Sequence, residues 1–222
     1  MFKYREYDPP KRVQIAIKNI FIIMAYTLTV TLFLAINYYG KQYEFFKQHI
    51  SELGSIADST FLSRLIMIVG LGICSALMLI VAIIYFVKNE ELKGAVIKGI
   101  LALILALGAA GLAIPLDHPN LSTLHLIGAA CFVGGFAAYN AFAQISSSYR
   151  KIIKKEVETS PVDNFWDVFL SIIVILVLIG YFIIFALDKL GIGISLYIGP
   201  ISQKITVFIE VLALYFIDNE DI

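Results

Sequence analysis

Long apolar runs separated by short polar clusters dominate the chain, and within each run the apolar residues are continuous rather than alternating. Six runs can be marked, at about 15–39, 61–87, 95–114, 122–145, 166–187 and 198–217. About 20 apolar residues at a helical rise of about 1.5 Å cross a hydrocarbon core of about 30 Å. Backbone amides in lipid have no water to bond, so only a helix or a closed barrel can span. Strand-like alternation is absent, which leaves helices. The pattern therefore predicts an all-α fold: one polytopic transmembrane domain over 1–222, built as a six-helix bundle. The first run is too long for the apolar core of a signal peptide and no small-x-small cleavage site follows it, so it is read as a retained span.

Positive charge sets the expected orientation. Twelve of the 17 Lys and Arg residues fall toward the N-terminal end, at or near the connection between the second and third runs, or between the fourth and fifth. By the positive-inside rule these are cytoplasmic, with both termini, in a multi-pass protein of the cell membrane. The outer connections are then a large one at about 40–60, a tight hairpin at about 115–121 and a short one at about 188–197. The inner stretch 146–165 reads either as an amphipathic helix on anionic headgroups or as an extension of the fourth helix. Ser160-x-x-Asp163 resembles a capping box for the fifth.

Composition sharpens this picture. Hydrophobic residues make up 59% of the chain and charged ones 15%, and the formal net charge is zero. With no basic stretch interleaved with aromatics, nucleic acid is not an expected partner; membrane lipids are, along with other membrane subunits. Cys74 and Cys131 lie deep in apolar runs and read as small buried hydrophobes.

Candidate chemistry gathers on the expected outer side. All three histidines, His49, His118 and His125, fall there with Ser51, Glu52, Asp58 and Asp117. The donor types suit zinc, with His49, His118, His125 and Asp117 as candidate ligands. Ser51, Glu52 and Asp117 are the candidate catalytic groups, Glu52 as a proton-transfer group for metal-bound water. HExxH and HxxxH spacings are absent. A bis-histidine haem on His49 and His125 rests on residue type alone. Equally, Asp117 or Asn120 caps the fourth helix, Ser51 caps a short one, and His125 bonds a neighbour. Glu210 lies about ten residues inside the sixth run, roughly 15 Å deep. There it is expected to be protonated, paired or facing a wet cavity, as a proton or substrate site or as an interhelical hydrogen bond. Lys98 and Arg64, near span ends, are expected to snorkel. Gly108, Ala109, Ala110 and Gly111, facing Gly128, Ala129, Ala130, Gly134 and Gly135, predict close packing of the third and fourth helices.

The string His49-Ile50-Ser51-Glu52-Leu53-Gly54 before a span, with Pro115-Leu116-Asp117 and then Leu124-His125-Leu126-Ile127-Gly128-Ala129 and Phe132, resembles the paired signatures of a six-span family of prokaryotic membrane proteins of unknown function. That family is distantly similar to the FRAG/DRAM/Sfk-type membrane proteins. Position 52 departs from the pattern, being Glu where Asp or a small residue is more usual. The resemblance implies a six-helix fold and an outer polar site acting on lipid, without naming a reaction. In residue types the chain is also similar to membrane hydrolases with a Ser, Asp and three His zinc site, but their HxxxH is missing, so no catalytic role carries over. Three functions follow as expectations: a lipid-interacting protein or accessory subunit of a membrane complex; a metal-dependent membrane hydrolase or lipid-modifying enzyme; and a small proton-linked transporter using Glu210.

Overall fold

A computed structural model describes residues 9–148, 161–192 and 197–216. Six α-helices follow one another: α1 (Pro9–Asn37), α2 (Phe61–Val87), α3 (Ala95–Leu112), α4 (Ser122–Ser148), α5 (Pro161–Lys189) and α6 (Ile198–Phe216). A single 3₁₀ turn, Ile50–Gly54, interrupts the α1–α2 connection. No strand occurs among the described residues. The inner stretch between α4 and α5, including Ser160 of the expected capping box, lies outside the described residues.

Local chemistry accounts for the helix boundaries. α1 opens on Pro9 and Pro10, tolerated in a first turn whose amides have no intrahelical acceptor. Thr60 caps α2, its hydroxyl accepting from the Ser63 amide at 3.1 Å. Gly94 precedes α3 at φ 67°, a left-handed conformation that a side chain would strain. α1 begins earlier than its apolar run because the basic N-terminal residues continue the helix beyond the apolar stretch.

Each helix packs on its sequence neighbour, and α6 returns to α1 to close the ring. α3 and α4 meet backbone to backbone, as their small residues predicted. A Cβ at Gly128 would fall 2.6 Å from Gly111 Cα, and one at Gly111 would fall 2.7 Å from Gly128 Cα. In the half of the bundle away from the 3₁₀ turn, Tyr85 and Tyr139 join by their hydroxyls, both fully buried.

Outward faces are apolar. Phe33, Ile83, Leu107, Ile127, Leu176 and Phe208, one on each helix, are all more than half exposed, except that this holds for many neighbours too. A helix in a water-soluble bundle presents charges on that side. Four helices, over Lys11–Asn37, Phe61–Val87, Ala95–Leu112 and Ser122–Ala143, have the length and composition to cross a membrane. The described part of α5 contributes a shorter apolar stretch, Ile172–Asp188. An integral membrane protein accounts for these features.

Candidate functional site

The α1–α2 connection folds into a cap over one end of the bundle, and its hydrogen bonds show why. The His49 amide donates to Glu52 Oε1 at 2.8 Å, starting the 3₁₀ turn, and the Ile50 amide donates to Gln203 Oε1 on α6, also at 2.8 Å. Leu53 points inward and is fully buried, which stabilises the cap by about 2 kcal/mol relative to exposure in water. The Ser63 hydroxyl lies 2.8 Å from Leu53 O and 2.9 Å from Ala35 O, tying α2 to both. Arg64 donates to Ile56 O at 2.6 Å, so its guanidinium supplies a donor to a cap carbonyl. Lys98 is buried.

Asp117, in the α3–α4 connection, pins the other edge of the cap. Its carboxylate accepts from the Ile56 and Ala57 amides, both at 2.7 Å, and from the Ser55 hydroxyl at 2.9 Å. Asp117 therefore joins two connections rather than capping α4. Partial burial pushes its carboxyl up, but these three donors outweigh that and hold it below the usual carboxylate range. For His49, burial dominates and lowers the imidazole below its ordinary value; Glu52 and a hydrogen bond with Gln203 oppose the shift, and Lys204 adds to it.

Beneath the cap lies a cavity of about 50 Å³ to which all six helices contribute, room for a few waters. Its polar lining is Ser51, His125, Tyr181 and Gln203. His125 Nδ1 is 2.6 Å from Ile114 O in the α3–α4 connection, a contact with the loop rather than the expected bond to a neighbouring helix. Gln203 is a hub: besides Ile50, it hydrogen-bonds the side chains of His49 and Tyr181. Glu210, two turns further along α6, is buried, with Oε1 lacking a hydrogen-bond partner among the described residues.

A second space opens sideways. Between α1 and α6 runs an apolar groove of about 210 Å³, bounded by Leu32, Ile36, Val207 and Val211, with Tyr43, Phe45 and Lys204 at its cap end. Lys204 is buried, and its ammonium lies 5.4 Å from the Tyr43 ring centroid and 5.0 Å from that of Phe45.

The structure thus brings Asp117 to the segment after Glu52, and Ser51 and His125 to one cavity. It does not gather a metal site. Among the described residues, no three His, Cys, Asp or Glu side chains stand together as ligands. His49 is held against α6, His125 against the end of α3, and His118 Nδ1 accepts from the Asn120 amide at 3.3 Å. No three of His49, His118, His125 and Asp117 are grouped as ligands. Gln203, Lys204 and Tyr181 were not singled out by sequence; the one signal was a Gln-Lys pair inside an otherwise apolar run. Comparison with protein-family models, with curated proteins and with solved structures finds no match for this chain.

Proposed function

We propose that this chain is a six-span integral protein of the cell membrane, with both termini cytoplasmic, that binds membrane lipid in the groove between α1 and α6. The sixth span carries three strongly polar residues, Gln203, Lys204 and Glu210. Yet Lys204 and Glu210 are buried, whereas Ile205 and Phe208 on the same helix are about half exposed or more. Polar groups turned into the bundle and apolar ones turned out suit a span. Its 19 residues extend about 28 Å, close to the hydrocarbon thickness.

The observation that carries the lipid reading is the groove: apolar along its length, open at its side, and bordered by a cation and two aromatics at the cap end. An acyl chain fits such a lining, because its alternative is the equally apolar bilayer and only close packing and the polar end need favour the site. Native mass spectrometry of protein extracted in mild detergent tests this. The intact chain should retain a lipid at near one-to-one stoichiometry, and Leu32→Trp, which fills the groove, should lose it while remaining folded. Wild-type protein free of lipid would contradict the proposal.

A further inference from the structure

The groove's charge points to its ligand. We infer that the bound lipid is anionic, its negatively charged head on the Lys204 ammonium and one acyl chain along α1 and α6; this rests on the lipid-binding reading above. An ammonium has three N–H donors. That of Lys204 donates to Gln48 O and, at 3.4 Å, to Pro200 O. Two carbonyls leave one N–H donor unused and bring no negative charge into contact with it. The ion pairs found among the described residues are Lys41–Asp58, Lys47–Glu44 and Lys88–Glu91, none of them involving Lys204. Glu52 acts on it electrostatically without forming an ion pair, and also accepts from the His49 amide.

A buried cation in contact with carbonyls and ring faces rather than a carboxylate is costly, and an anion delivered by a ligand offsets that cost. Lys204 lies six residues into α6, about 9 Å from its start and nearer the cap end of the helix than its far end. From there Val207, Phe208 and Val211 continue the groove for about another 10 Å. The groove on the opposite flank of α1, against α2, is lined by apolar and hydroxyl side chains and has no charged residue. It gives no reason to select a head.

The test is native mass spectrometry of protein reconstituted into vesicles of equal phosphatidylcholine and phosphatidylglycerol. Wild type should carry the anionic lipid in about tenfold excess over the neutral one. Lys204→Arg should keep that excess and Lys204→Gln should bring it near parity. Bound lipid that mirrors the vesicle would overturn the anionic assignment and leave lipid binding standing; no bound lipid would overturn both. An excess that survives Lys204→Gln would remove Lys204 from the site. Should Lys204→Gln fail to fold, unsubstituted protein decides the matter. A phosphatidylglycerol with a photoreactive acyl chain should label peptides containing Leu32 and Val207. Labelling confined to α2 and α3, or crosslinking of α1 and α6 only to another protein, would overturn the proposal.

Discussion

Asp117 accepts three hydrogen bonds from consecutive residues of a segment 60 positions away, and no other side chain of the α3–α4 connection does comparable work for the cap. Asp117→Ala should therefore free residues 55–57 at a cost of about 2 kcal/mol, read as lost hydrogen-exchange protection of the Ser55–Ala57 amides. Acid should act on the same contacts. A carboxyl held below its ordinary range contributes stability that is full above the open-chain value of about 3.9 and is lost as pH falls through the folded value. His49, lowered by burial, has the same sign: its contribution is full above about 6.5 and declines below it, because the opened cap binds the proton more readily. Exchange protection of the Glu52 and Ser55 amides, corrected for the intrinsic rate, should fall in two stages on acidification. In Asp117→Asn the lower stage should disappear. Shared polarity and expected side drew attention to both connections, but whether they meet depends on helix order, which sequence alone does not carry. Which side chain does the joining was not legible either, because Asp, His, Ser and Glu all offer suitable atoms.

Between neighbouring helices, glycine decides how closely backbones approach. The Gly108–Gly111 and Gly128–Gly135 stretches announced the α3–α4 contact, since without a hydrophobic driving force in lipid, close packing is what holds such a pair. Gly128→Ala puts a methyl group 2.6 Å from the Gly111 backbone, where no flexible side chain can yield. It should cost about 1–3 kcal/mol, seen as a lower melting temperature in detergent. Gly72→Ala on α2 is the control: a Cβ there meets nothing within 4 Å, and the substitution should be neutral or stabilising by up to about 1 kcal/mol. α6 shows where pattern reading stops. Lys204 contributes to the count of outer-side charge, but its burial follows from which way α6 is rotated, and linear order does not encode rotation.

Closure of the bundle brings together what sequence keeps farthest apart. Gln48 and Lys204 are joined across 156 residues, and Ile50 and Gln203 across 153, because α6 returns to α1. Hydropathy marked the six helices, since long continuous apolar runs have few alternatives, but it carries no information about which helix ends neighbour one another. The cap, the cavity beneath it and the lateral groove all depend on that closure and on an odd number of crossings between the cap and the α2–α3 turn. Membrane sidedness is therefore the most direct test. In protein with Cys74 and Cys131 replaced by Ala, Lys41→Cys and Asn120→Cys should react with a membrane-impermeant maleimide added to intact cells. Glu90→Cys should react only after permeabilisation. Reaction of positions 41 and 120 from opposite sides, or of position 90 from outside, would contradict the account.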